Sequence, residues 1–152
     1  VPDYYENRPK KCMNGWGNVF LTITPNGTAL PCHTAKMLTH LDFPNVKDLS
    51  VKDIWYDSHA FNHYRGDAWM KDPCRTCDEK EKDLGGCRCQ ALMLTGDAAN
   101  ADPVCDKSSH HQAVLDAVAY AQIPDSKRVE VKPLVFRDPI NSRKLSAVTQ
   151  EK

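Results

Sequence analysis

Seven cysteines constrain this chain of 152 residues more than any other feature, and four of them fall within the sixteen residues CRTCDEKEKDLGGCRC. They stand at Cys12, Cys32, Cys74, Cys77, Cys87, Cys89 and Cys105. An odd number cannot be closed into disulfides without leaving one thiol over. In a chain with no sign of export, clustered cysteines read as metal or redox ligands. Ten prolines against seven glycines point the same way, to an irregular backbone that something other than a large apolar core must hold.

Composition narrows the remaining classes. Lys and Arg total 20 and Asp and Glu total 20, so no global field draws the chain to nucleic acid or to an anionic membrane. No apolar run approaches the length needed to span a bilayer. The opening VPDYYENRPKK carries no apolar signal-peptide core and no initiator Met. The expectation is therefore a stretch of a longer, cytoplasmic chain.

Local patterning divides the chain into regions. From Asn18 to Thr24 residues alternate, with Val19, Leu21 and Ile23 on one face and Phe20, Thr22 and Thr24 on the other. Pro25-Asn26-Gly27 is a turn signal, and Thr28 to Cys32 reads as the returning strand of a hairpin. Ser50, with Asp53 three residues on, predicts the start of one amphipathic helix carrying Ile54, Trp55, His59 and Phe61 and ending near Arg65-Gly66. A short helix is expected at Gln90 to Leu94. Ser108 or Ser109 is placed to cap a helix from His110 to Ala121 with Val114, Leu115, Val118 and Ala121 on its apolar face. Val129 to Phe136 suits an edge strand interrupted by Pro133, and Arg137 to Lys152 reads as a polar tail.

The chemistry lies in the thiols. A Cys-x-x-Cys turn such as Cys74–Cys77 brings two thiolates to one iron or zinc, with backbone amides directed at the sulfurs. Cys87-x-Cys89 needs a compact turn for both side chains to meet one centre, and Gly85-Gly86 permits the unusual backbone angles required. A single structural zinc on Cys74, Cys77, Cys87 and Cys89 accounts for four cysteines and leaves Cys12, Cys32 and Cys105 as small buried hydrophobes. Two centres would instead need eight ligands, one more than the thiols supply. The six histidines, at positions 33, 40, 59, 63, 110 and 111, are scattered, and His110-His111 read as solvated or capping. Trp16, Trp55 and Trp69 read as core. The run DEKEKD from Asp78 to Asp83 reads, on composition, as a solvated turn.

The full spacing carries a resemblance that favours two centres. Cys12, then Gly27 and Cys32, then Cys74-x-x-Cys77, Asp83, Cys87 and Cys105 resemble the SPASM domain, the C-terminal extension of radical S-adenosylmethionine (AdoMet) enzymes that modify peptides. Asp83 stands where the family pattern has cysteine. Together with the extra Cys89 and the stretches DIWYDSHAFNHYRGDAWM and KSSHHQAV, that substitution is similar to the PqqE group, the radical AdoMet enzymes of pyrroloquinoline quinone biosynthesis. The resemblance covers about residues 12–122. It implies a first auxiliary cluster, [2Fe–2S], on Cys12, Cys32 and Cys87, where many relatives add a further cysteine; the thiol left for that place here is Cys89. It implies a second, [4Fe–4S], on Cys74, Cys77, Asp83 and Cys105. It further implies an intact oxidoreductase that joins a Glu and a Tyr of the precursor peptide PqqA, with the small chaperone PqqD presenting the peptide and an external electron donor or acceptor.

No Cys-x-x-x-Cys-x-x-Cys motif, which the AdoMet cluster requires, occurs in the sequence. The stretch alone is therefore expected to be inactive and to belong to a longer enzyme that holds AdoMet and a further [4Fe–4S] cluster elsewhere. The expected fold is α+β: a β-hairpin, short helices and cysteine-rich loops around two clusters. The expected organisation is a lead over residues 1–11, the cluster domain over 12–122 and an extension over 123–152. Two other classes remain open at this level, a zinc-stabilised structural or interaction module and a free-standing, ferredoxin-like electron carrier.

Overall fold

In a computed structural model of the chain, residues 10–124 and residue 127 are described. The expected strand at 129–136, the tail at 137–152 and all but two residues of the lead lie outside them. The chain divides into two compact units, Val1–Tyr120 and Ala121–Lys152. In the second, the Lys127 amide donates to the Pro124 carbonyl at 2.8 Å.

The described fold is α+β. A two-stranded antiparallel hairpin pairs β1 (Thr22–Ile23) with β2 (Ala29–Leu30), Thr22 opposite Leu30 and Ile23 opposite Ala29. The turn forms where Pro25-Asn26-Gly27 predicts it: the Gly27 amide donates to Thr24 O at 2.8 Å, and the Thr24 amide to Thr28 O at 2.9 Å. Both strands are much shorter than the alternation suggests. In this register Leu21 would face Pro31, which has no amide to donate, so the ladder stops there. Val19, beyond the ladder, is exposed, as is Ile23 within it, while Leu21 packs against a small core of Ala29, Ile54 and Phe61.

Helix α1 (Val51–Asp57) begins where Ser50 predicts: the Ser50 hydroxyl accepts the Asp53 amide at 3.1 Å and donates to the Asp53 carboxylate at 2.7 Å. The single helix expected to run on toward Arg65 is two. Ser58 is extended (φ −68°, ψ 137°), its amide donates to Asp53 O and its hydroxyl to Ile54 O, and α2 (His59–Asn62) starts anew. A serine satisfying the preceding turn in this way competes with the helix ladder. The break lets Ile54 and Phe61, both fully buried, share one core, each contributing about 1.5–3 kcal/mol.

Beyond this, α3 (Lys80–Asp83) is a one-turn helix where a solvated turn is expected, tied down by Lys80 to Asp67 at 2.6 Å and Lys82 to Glu79 at 2.8 Å. Helix α4 runs Arg88–Thr95, longer than the expected 90–94, and ends at Gly96 in the left-handed conformation. Helix α5 runs Gln112–Ala121, starting two residues after the expected His110, and its Leu115 and Val118 are about half exposed (47% and 51%). The Ser108 hydroxyl accepts the His110 amide at 3.3 Å, while His111 Nδ1 lies 2.8 Å from Pro103 O.

The larger core joins Trp16, Leu30, Ala35, Leu38, Leu41, Ala60, Tyr64 and Ala98 with two of the cysteines, Cys32 and Cys89. Trp16 is fixed in it by donating Nε1–H to Ala60 O at 2.8 Å. Trp16 and Trp69 each meet the Tyr64 ring edge-on, at 5.3 and 5.1 Å.

Candidate metal centre

The structure sorts the seven thiols into two groups. In the first, the Cys32 and Cys89 sulfurs are 3.9 Å apart, and the Cys87 thiol interacts with those of Cys89 and Cys12. Cys32 arrives directly after β2 and Pro31. Cys87 caps the N-terminus of α4, with Cys89 in its first turn. Cys87 is itself extended (φ −85°, ψ 115°), and the chain turns into the helix directly after it, so the pair does not lie on one straight strand that would send its side chains to opposite faces.

Protons are shared unequally within this group. Cys87 is held well below the usual thiol range because Cys12 and Cys89 donate to it, helped by the amides of Gln90 and Cys89 at the helix start. Cys12 and Cys89, as donors, are pushed up, with burial adding to the effect. Cys32, accepting from Cys89, is lowered. Metal binding replaces those protons, as thiolate ligation requires.

Backbone left-handedness frames the group on two sides. Met13, Asn14 and Gly15 follow Cys12 with φ of 46°, 56° and 102°, and Leu84, Gly85 and Gly86 precede Cys87 with φ of 49°, 74° and 79°. Such residues cost about 1–3 kcal/mol each where they are not glycine and cluster at functional sites. The two runs meet, since a side chain on Gly15 would lie 3.1 Å from Leu84.

In the second group, Cys74, Cys77, Asp83 and Cys105 line one recess together with Pro73, Lys80 and Lys107, enclosing about 250 Å³ including space open to solvent. The Cys77 amide donates to Cys74 O at 3.2 Å, closing the Cys-x-x-Cys turn. Lys107 Nζ donates to the Cys77 sulfur at 3.5 Å. Burial pushes the Cys74 thiol up to about 11; the Arg88 charge opposes this, and those of Asp83, Cys105 and Cys77 reinforce it. Asp83 ends α3 and accepts the Gly85 amide at 2.8 Å through Oδ1.

The cysteine set expected for a single zinc is divided, Cys74 and Cys77 in one group and Cys87 and Cys89 in the other. Among the described residues no three His, Cys, Asp or Glu converge on a single-ion site. Residues 12–78 match the SPASM family model, an iron–sulfur cluster-binding domain. SPASM domains bind auxiliary iron–sulfur clusters and occur in radical AdoMet enzymes. The donor chemistry fits, because soft thiolates in groups of three and four are what iron–sulfur clusters take. No described helix is long and apolar enough to cross a membrane.

Two residues that the cysteine pattern does not announce complete the site. Arg88 is 1% exposed and Asp102 2% exposed. Asp102 accepts the Cys87 amide and the Gln90 side chain, each at 2.8 Å, so it sets the start of α4. The only signal for them in sequence is their place, Arg88 between two cysteines and Asp102 three residues before a third.

Proposed function

We propose that this chain is the auxiliary-cluster domain of a PqqE-like radical AdoMet oxidoreductase, holding one cluster on Cys12, Cys32, Cys87 and Cys89 and another on Cys74, Cys77, Asp83 and Cys105. The observation that carries the reading is the sorting of seven thiols and one carboxylate into two groups in a chain whose residues 12–78 match an iron–sulfur cluster-binding domain. Bound clusters of this kind supply one-electron acceptor and donor sites.

This chain's own contribution is to hold the ligands and set their surroundings. The first group is built into the core through Cys32 and Cys89. The second lines a recess with Lys80 and Lys107, Lys80 being paired with Asp67 and Lys107 donating to Cys77. In the intact enzyme the substrate would be the PqqA peptide, crosslinked between a Glu and a Tyr, with PqqD as presenting partner and AdoMet bound outside this stretch. We assign [2Fe–2S] to the first group and [4Fe–4S] to the second.

Anaerobic purification followed by ultraviolet–visible spectroscopy with iron and sulfide analysis tests the metal reading. Brown protein with sulfide equal to iron supports it, whereas colourless protein with zinc overturns it. The substrate reading is tested with the intact enzyme, AdoMet, PqqA and PqqD. A PqqA product lighter by two hydrogens supports it, and unchanged peptide beside active AdoMet cleavage counts against it.

A further inference from the structure

Arg88 is the charged side chain most completely removed from water in the described fold, and it stands between Cys87 and Cys89 in the chain, directly after the turn that leads from Asp83. Its guanidinium donates to the carbonyls of Gly85, Gly86, Ala98 (2.7 Å) and Asn100 (2.9 Å). Its fork lies over the Trp69 ring, Cζ 4.4 Å from the centroid. Among the described residues no carboxylate forms an ion pair with it. A buried cation that is hydrogen-bonded yet not paired is costly unless other negative charge lies near. The nearby acid is buried Asp102, whose amide shares the Gly85 carbonyl with the guanidinium, and the same Gly85 donates its amide to Asp83 of the second recess, so the side chain is tied to the turn that joins the two groups. Arg88 also lines the recess that reaches Cys12 beside Trp16 and Tyr64.

We propose that Arg88 is the shared counter-charge of both groups, a positioning residue whose fixed positive charge makes each bound centre easier to reduce while its fork holds the 84–86 turn between them. This rests on the iron–sulfur reading above. Arginine suits the task because it stays charged when buried and its planar fork satisfies several carbonyls at once. A residue serving only one centre would leave the other unmoved. A common shift of both separates the shared role from a local one.

The test is a redox titration of the full chain with both groups loaded, using dithionite and mediator dyes, in the parent, Arg88→Gln and Arg88→Lys. Arg88→Gln should lower both midpoints, each by roughly tenfold in the reduction equilibrium constant, which is about 59 mV for a one-electron couple. Arg88→Lys, which keeps the charge, should leave both near the parent. Failure of Arg88→Gln to load either group, while Arg88→Lys loads both at parental potentials, also supports the shared charge. The proposal is overturned if Arg88→Gln shifts one midpoint or none, if it loses only one group, or if neither variant loads, since the side chain is then a structural fixture. A parent that binds no iron at all overturns the iron–sulfur reading first, and the role of Arg88 with it.

Discussion

The Cys32 sulfur lies 3.9 Å from the Cys89 sulfur, although 57 residues separate them. One ends the hairpin and the other opens a helix, and both are buried in the same core. Removing Cys89 therefore takes a donor from the centre of the first group. Cys89→Ala should abolish loading there, a larger loss than the roughly 10–100-fold that follows from altering an outer-shell partner, while the second group keeps its iron. Iron analysis with electron paramagnetic resonance reads both, and an unchanged iron content and first-group signal would remove Cys89 from the ligand set.

Asp83 is the one carboxylate among thiols at the second recess. A carboxylate oxygen is a harder donor than sulfur and binds iron less covalently. Asp83→Cys and Asp83→Ala should each change the second centre's spectrum and midpoint and leave the first centre as it is. If both variants keep the parental second-centre signal and potential, Asp83 is a surface charge and the ligand assignment there is wrong.

Gly85 tests the turn between the groups. With φ at +74°, an added Cβ would come within 3.1 Å of the Trp69 ring and 3.2 Å of the Arg88 guanidinium. Gly85→Ala should destabilise by about 1–3 kcal/mol, seen in a lower denaturant midpoint. Gly66, with φ at +67° and nothing within 4 Å, is the control. Gly66→Ala meets only the left-handed backbone cost of about 1–2 kcal/mol. Equal losses at the two sites would mean that the contact with Trp69 and Arg88 carries no weight.

What the sequence makes legible follows from how local the signal is. The Ser50–Asp53 cap and the Pro25-Asn26-Gly27 turn depend on residues within a few positions, and both form as expected. Strand length depends on the partner: Pro31 ends the ladder and leaves Val19 without a sheet. The break at Ser58 escapes the periodicity because Ile54 and Phe61 satisfy a helical pattern on either side of it. Local spacing offers Cys74, Cys77, Cys87 and Cys89 as one set; the resemblance over the longer pattern divides them, and in three dimensions Cys32 is brought in beside Cys89 of α4 while Cys74 and Cys77 line a separate recess. Arg88 is the least legible. A charged residue between two cysteines reads as solvent-facing until Trp69 and four carbonyls are placed around it.

Tyr64 gives the fold an alkaline limit. Its phenol is buried and 2.9 Å from His40 Nε2, and burial raises its pKa to about 12, with Asp97 and Cys89 adding to the effect and Arg88 opposing it. An unfolded tyrosine titrates near 10, so the folded state holds this proton more tightly. The associated stability is complete below pH of about 10 and falls as pH rises toward about 12. Tyr64→Phe should flatten that decline while costing about 0.5–1.5 kcal/mol at neutral pH for the lost hydrogen bond. Denaturation curves across this range check it, and an identical alkaline slope in parent and variant would assign the decline to other groups.

Metal removal should loosen the chain unevenly. The hairpin, α1 and α2 have a core of their own in Ala29, Ile54 and Phe61, and the α1 cap and the Trp16–Ala60 bond do not involve sulfur. The thiols instead stand at Cys12, at Cys32 just past the hairpin and within 74–105, and the left-handed runs at 13–15 and 84–86 lie beside two of them. Without metal, four adjacent thiols must either keep their protons in a buried cluster or separate, and ligand binding is to that extent folding free energy. Anaerobic chelation followed by hydrogen exchange should therefore speed exchange in the Cys12 loop, the 84–89 turn and the first turn of α4. Amides of α1 such as Ile54, which donates to Ser50 O at 2.9 Å, should keep most of their protection. Uniform acceleration across all of these would show that the centres hold the whole fold, and no acceleration at 84–89 would show that the thiol groups are held by the chain alone.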